Sequence, residues 1–507
     1  MNGLEEPQRG SLHGALCGCA DGAIHRQWSL PVARPLSVGG ANGKPKRSIA
    51  SPAAGIRRLV RPRPKGRSFL LKGGCVLTLD PQIGDFAKAD ILVKNGKIAA
   101  VGPELDADDV EMIDASNTIV MPGFVDTHRH MWEGFLRNLL PDASLADYLE
   151  LILLRIGPRL SPEDVYMGNL VSALGAIDAG VTTVVDVSHI QNTPEHSDAA
   201  IQALLDAGGR AVFGYGRPLP GIINWWEDTV SAFPHDIRRI RRQYFSSNDK
   251  LVTLAMAANM RPYEIAERDW RLARDVDVRI TVHSIPPRPG EVGCIEQLSR
   301  ANLLGPDTTY IHCNNLSATA WKMLADTGGS VSLSPYVETM MGHGEPPIQM
   351  ALNHGIRPSL SADVETTVPG DLFTQMRSAL SVQRGAAWRE RHERADAATP
   401  LLTSRQVLEF ATIDGAKASG LDSRIGTLTP GKDADLILLR TDRLNVLPMN
   451  DPVGAVVANM DRSNVDAVFV QGRALKWSGE MLDVNLGEIG ERAAASRDRV
   501  LAGLNLH

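Results

Sequence analysis

The chain reads as an α/β protein, a (β/α)8 barrel of the TIM type with a small composite β-sandwich built from both chain ends. Three observations predict this. Eight short apolar segments alternate with helical patterns through the middle of the chain, and such alternation argues for parallel βα units. Short strands with hairpin turns stand on either side of that middle. No glycine-rich phosphate loop follows an early strand, as an open doubly wound sheet would want.

The bulk numbers agree. At 507 residues the chain is too long for one ordinary core, and a large barrel with a smaller domain suits it. A hydrophobic share of 43% and a charged share of 22% are those of a globular protein in water. A net charge of -6 carries no nucleic-acid footprint. No run approaches the ~18 apolar residues of a membrane-spanning helix. Cys17, Cys19, Cys75, Cys294 and Cys313 are few and scattered, which favours a reducing compartment, the cytoplasm. Cys17 and Cys19 lack the second pair that a zinc site needs.

Residues 1–67 are rich in Gly, Pro, Ser and Arg and poor in acids, and are expected to be a disordered basic extension. It has no apolar central region, so it is not a secretory signal. Residues 68–120 begin the sandwich. Phe69–Asp80 and Ala89–Val101 read as strands, with Asn95–Gly96 as a hairpin turn. Residues 421–480 supply its other half through Asp433–Arg440 and Val465–Leu475, with Gln471–Gly472 at a turn. Pro430–Gly431 reverses the chain before them. A last segment, 481–507, is expected to be a helix.

Between these, residues 121–420 form the barrel. Its strands are expected at Gly123–His130, Val181–Ser188, Arg210–Tyr215, Leu251–Ala257, Arg279–His283, Thr308–His312, Ser330–Ser334 and Arg357–Ala362. Helices are expected at Pro162–Ala179 and Ala318–Thr327. Ser317 is placed to cap the second, and Gly180 and Gly328 sit where helices end. The arginine-rich Trp388–Arg394 stretch reads as a solvated helix face.

In such a barrel, chemistry sits at the carboxyl ends of the strands. The first strand ends in His128 and His130, the fifth in His283, the sixth in His312 and the eighth in Asp363. Strict alternation would put Asp126, His128 and His130 on one face, leaving Arg129 opposite in a structural role. Neutral imidazoles and a carboxylate suit a divalent transition metal. Around this set, Trp132, Phe135, Trp225, Trp226, His189 and His343 are candidates to line a small-molecule pocket.

The run Pro122–Gly–Phe–Val–Asp–Thr–His–Arg–His130 resembles the first-strand signature of the amidohydrolase superfamily. The chain is similar to its mononuclear-metal branch, which holds cytosine, guanine and S-adenosylhomocysteine deaminases and the triazine hydrolases. The resemblance extends from about Phe69 to about Lys476, including Ala411–Ala418 and Ile425–Asp435. It implies one divalent ion, Zn2+ before Fe2+, on His128, His130, His283 and Asp363. It further implies Asp363 as general base and His312 as the group that polarises the substrate. The expected reaction is attack by a metal-bound hydroxide on a C–N bond of a small cyclic or heteroaromatic molecule. The alternatives are displacement of a ring halide or thioether, and an inactive relative that only binds. Two-metal members carry a lysine at the end of the fourth strand, and Leu251–Asn259 has none. The deaminases carry a glutamate three residues after the fifth-strand histidine, where this chain has Pro286. Glu291 or Glu365 could take its place. The expected partner is a small-molecule substrate, with no nucleic acid and no membrane, and the expected assembly is a homo-oligomer.

Overall fold

The computed structural model describes residues 66–219, 233–284, 291–394, 396, 398–502 and 504. The expectations for residues 1–65, the Cys17/Cys19 pair, Trp225, Trp226 and Pro286 lie outside the described residues.

Eight parallel strands form one sheet in sequential order: β6 (Phe124–Arg129), β7 (Val181–Ser188), β8 (Arg210–Tyr215), β9 (Val252–Ala258), β10 (Arg279–His283), β11 (Thr308–Ile311), β12 (Ser330–Leu333) and β13 (Ser359–Leu360). A parallel bridge between Arg129 and Asp363 joins the last strand to the first and closes the barrel. The eighth strand is shorter than expected. Pro358 has no N–H to give to a ladder, and the neighbouring Arg357 turns instead to Asp414 and Glu409. Val125, Val185, Val187, Val212, Ala255, Ala257 and Ile311, drawn from five strands, meet in one apolar cluster that fills the lumen. Helices end as their caps dictate. Ser317 accepts from the Ala320 N–H at 3.0 Å, and Gly180 and Gly328 take the left-handed conformation with φ of +84° and +74°.

Both chain ends share a second, mixed sheet of nine strands. From the first end come β1 (Phe69–Val76), β2 (Phe86–Lys94), β3 (Lys97–Gly102), β4 (Glu111–Asp114) and β5 (Thr118–Pro122). From the other come β14 (Leu436–Arg440), β15 (Val465–Val470), β16 (Arg473–Trp477) and β17 (Glu480–Met481). β5 pairs antiparallel with β14, which joins the two ends. Phe69 on β1 and Phe469 on β15 stand three strands apart in the sheet order, yet their rings approach to 4.8 Å. The sheet therefore folds over on a single core rather than lying flat. Asn95 and Gly96, at φ +51° and +78°, form the β2–β3 turn.

The domain docks on the amino-terminal ends of the barrel strands. Arg210, at the start of β8, donates to Asp435 at 2.7 Å and to Asp433 at 2.8 Å. At the chain's end, the helix Leu486–Ala502 packs on Pro162–Asp178 and pairs Arg499 with Asp164.

Candidate metal centre

The first strand does not alternate strictly. A register shift between Asp126 and Arg129 marks a β-bulge against β7. Before it, Val125 joins the lumen cluster, and Thr127 Oγ1 meets Ser332 and Ser359 hydroxyls at 2.7 and 2.8 Å inside the barrel. After it, His128 and His130 take over the inward positions. Asp126 is thus corrected out of the histidines' face. Its carboxylate accepts from Arg129 Nε and Nη2 at 2.9 and 2.7 Å, a contact that strict alternation would forbid. Arg129 is wholly buried and also donates to the Gly370 carbonyl, so its role is structural.

Barrel closure itself draws the ligand set together. His130 N donates to the Asp363 carbonyl, and Asp363 N to the His128 carbonyl, each at 3.0 Å. Asp363 Oδ1 lies 2.9 Å from His128 Nε2 and 3.5 Å from His130 Nε2, and Oδ2 lies 3.6 Å from His312 Nε2. His128, His283 and His312 each offer a nitrogen within 4.8 Å of the others, and so do His128, His130 and Asp363 their ligand atoms. The His283 ring centroid is 4.8 Å from that of His128 and 5.3 Å from that of His130. Atoms about 2.1 Å from one ion are roughly 3–4 Å apart, so a small contraction would bring this set onto a single ion.

The donor chemistry fits as well. His130 Nδ1 contacts the Val187 carbonyl at 2.7 Å. An oxygen there can only accept, so Nδ1 carries the proton and the Nε2 lone pair faces Asp363. Burial, and then the neighbouring His128, bring His130 down to about 3. Burial and the surrounding imidazoles also hold His283 well below the usual histidine value. These rings are neutral at physiological pH, the form that binds metal. Burial alone would raise the Asp363 carboxyl, but His128, which also hydrogen-bonds it, and His312 overcome it and keep it well below its ordinary value. His312 moves the other way. Burial opposes its charge, yet the Glu338 carboxylate 3.0 Å from Nδ1 and the nearby Asp363 raise its pKa.

Both His312 and Asp363 adopt left-handed backbone, with φ of +68° and +61°. That conformation is costly for residues with a Cβ and collects at functional sites.

The remaining candidates divide. His189 stacks on His130 with centroids 3.9 Å apart. His343 lies edge-on to His312 at 4.8 Å, with Nε2 lacking a hydrogen-bond partner among the described residues. Trp132 is fully buried and donates its indole N–H to His189 Nδ1 at 3.3 Å; it reaches the mouth only through that ring. Phe135 is core. Glu365 is taken up by Arg129, Arg137 and Ser172, and Glu291 is exposed. Neither stands in for the missing fifth-strand glutamate. Sequence reasoning missed Glu338, which orients His312 from the helix Pro335–Met340. Its one signal is a carboxylate four residues past Ser334, on a turn that Pro335 opens.

Residues 119–475 match the model of the amidohydrolase family. The chain is 26% identical over 451 residues to a 5'-deoxyadenosine deaminase of Methanosarcina mazei, covering 86% of this chain and 99% of that one. Its fold is similar to that of a zinc-bound adenosine deaminase from Xanthomonas campestris, with a TM-score of 0.72 at 21% identity over 87% of this chain and 100% of that one. It is also similar to an atrazine chlorohydrolase from Arthrobacter aurescens in complex with zinc, with a TM-score of 0.72 at 22% identity over 84% and 99%.

Proposed function

This chain belongs to the amidohydrolase family, and we propose that it hydrolyses a C–N bond of a small cyclic or heteroaromatic molecule at one divalent metal. His128, His130, His283 and Asp363 would hold the ion, zinc before iron, with 121–420 as the catalytic barrel and 68–120 and 421–480 as scaffold. The observation that carries this reading is the convergence of ligand atoms from the first, fifth, sixth and eighth strands within 4.8 Å in each triad. When bound, such an ion lowers the pKa of a water from ~15.7 toward ~7 and polarises the bond under attack.

The chain's own residues supply the proton handling. Asp363 is ionised at neutral pH and is the base that takes the attacking water's proton. His312, whose Nδ1–H faces the Glu338 carboxylate and whose pKa that carboxylate raises, presents Nε2–H as the imidazolium to the substrate atom on which charge develops. Glu338 is a positioning residue, fixing the ring plane of His312 and favouring its protonated form. With Pro286 in the fifth-strand position and Glu365 committed elsewhere, Asp363 and His312 carry the proton traffic between them. His189 and His343 flank the mouth and contact the substrate, and Trp132 fixes His189. Among the described residues no helix is long and apolar enough to cross a membrane. The three described cysteines are free thiols, which supports a cytoplasmic setting. A homo-oligomer completes the reading.

The test joins elemental analysis of purified protein to an ammonia-release screen over pterins, purines, pyrimidines and cyclic amides. About one equivalent of zinc or iron is expected, with activity that chelation removes and metal restores. Metal and turnover without ammonia would move the assignment to ring-amide opening or substituent displacement. Protein that takes up no metal under supplementation would sink the reading. Glu338→Gln should lower kcat roughly 10–100-fold, leave KM near its original value, and shift the pH profile through His312.

A further inference from the structure

Beside the metal-ligand set, the mouth has a second half built from the ends of β7, β8 and β9. Its centre is Arg217, two residues past the end of β8. The backbone holds it in place, with Gly216 N donating to the Ser188 carbonyl at 3.1 Å and Gln191 N to the Arg217 carbonyl at 3.4 Å. The approach needs glycine at 216, because a Cβ there would meet Ser188 O at 2.7 Å and the His189 Cα at 2.9 Å.

What the guanidinium lacks is a partner. Arg129 and Arg210, buried elsewhere, each face carboxylates at hydrogen-bond distance. Among the described residues Arg217 faces none. Its Nε is shut from solvent without an acceptor, and Nη1 makes only a long 3.5 Å contact to Asn259 Oδ1. Burial depresses its pKa to about 10, with Tyr148 the one group that opposes this. The neighbours offer no compensation. Burial and then His130 hold His189 well below the usual histidine value, the Arg217 charge adding to them, and the Tyr148 hydroxyl is already spent on Glu133 at 2.5 Å. A half-buried cation left without a counter-ion is costly, and a guanidinium fork matches a carboxylate in plane and spacing.

We propose that Arg217 binds a carboxylate on the substrate, so that the molecule hydrolysed is an acid-bearing heterocycle rather than a neutral one. This rests on the metal-site reading, since His189 stacks on His130, a proposed ligand, and is near enough to Arg217 to feel its charge. The acid group then docks on the β7–β9 side while the scissile bond faces Asp363 and His312.

The test is calorimetric titration of the metal-loaded protein with benzoate and with benzamide, which differ in charge and little in shape. Wild type is expected to bind benzoate roughly tenfold or more tighter. Arg217→Gln should erase the preference, and Arg217→Lys should keep part of it, which separates lost charge from lost folding. No preference in wild type, or an undiminished one in Arg217→Gln, would overturn the proposal. The titration needs no turnover, so it decides the carboxylate question even if the ammonia screen fails. Conversely, turnover of neutral heterocycles only, with kcat/KM unchanged in Arg217→Gln, would remove the carboxylate and leave the hydrolase reading standing.

Discussion

The two ends of the barrel bury charge in opposite ways. At the amino-terminal end, Arg210 meets Asp433 and Asp435; each of the four carboxylate oxygens has a donor, and of this set Arg210 Nη1 alone lacks a partner among the described residues. Asp433 Oδ1 takes Lys97 at 3.0 Å and Oδ2 takes Arg210 and Arg424; Asp435 Oδ1 takes the Gln471 N–H and Oδ2 takes Arg210 Nε. At the carboxyl end, Asp363 has one short contact and two beyond 3.4 Å. His128 Nδ1, His343 Nε2 and Glu338 Oε2 have no hydrogen-bond partner among the described residues. A closed network spends its hydrogen-bonding capacity on stability, and an open one keeps it for a ligand. The same strands thus carry a clasp at one end and the proposed reaction site at the other, as the architecture divides its labour generally.

Mutation should separate the two ends by what it damages. Asp363→Asn should lower kcat by about 10²–10⁴ and empty the metal site, read by elemental analysis. Arg210→Met should do the reverse. It leaves Asp435 buried without its cation, Asp433 keeping Lys97 and Arg424, which costs roughly 3–5 kcal/mol in urea unfolding, while kcat per folded molecule stays near that of wild type. If Asp363→Asn proved the more damaging to the stability of metal-free protein, the division would be wrong.

The clasp also sets a pH dependence. Burial would raise the Asp433 carboxyl, but Lys97, Arg210 and Arg424 outweigh it and hold it at about 2. A folded value below the unfolded one means that the contribution is fully present above pH ~4 and is lost as pH falls toward 2. Asp433→Asn should therefore cost about 2 kcal/mol at pH 7 and make the variant's stability flatter than wild type's between pH 4 and 2. Equal slopes would remove Asp433 from the clasp.

Much of this was legible in the sequence, for reasons that differ by residue. His128, His130, His283, His312 and Asp363 each end an apolar, β-branched run, and a strand that runs parallel into a barrel must deliver its last residue to the same rim. The bulge in β6 was not legible, because one extra residue leaves the apolar pattern of Val125 to His130 intact while moving Asp126 to the other face. Glu338 and Arg217 were missed because their meaning lies in partners remote in sequence: a histidine 26 residues earlier for one, and the lack of a described carboxylate for the other. Trp132 adjoins the signature and is still core, since a neighbour in sequence need not face the same cavity.

The smallest expected effect tests whether the two ends are independent of ordinary scaffold. Ser317 Oγ accepts from the Ala320 N–H at 3.0 Å and opens the helix Ala318–Asp326, which follows β11 but touches neither charged cluster. Ser317→Ala removes that cap and should cost about 1 kcal/mol, measured by urea unfolding at pH 7. Because the site and the clasp share no partner with Ser317, its cost should add to that of Arg210→Met within ~0.5 kcal/mol, and metal content and kcat should not move. A change in kcat would mean that the helix transmits to His312 through β11. The reaction site would then draw on the scaffold's stability rather than stand apart from it.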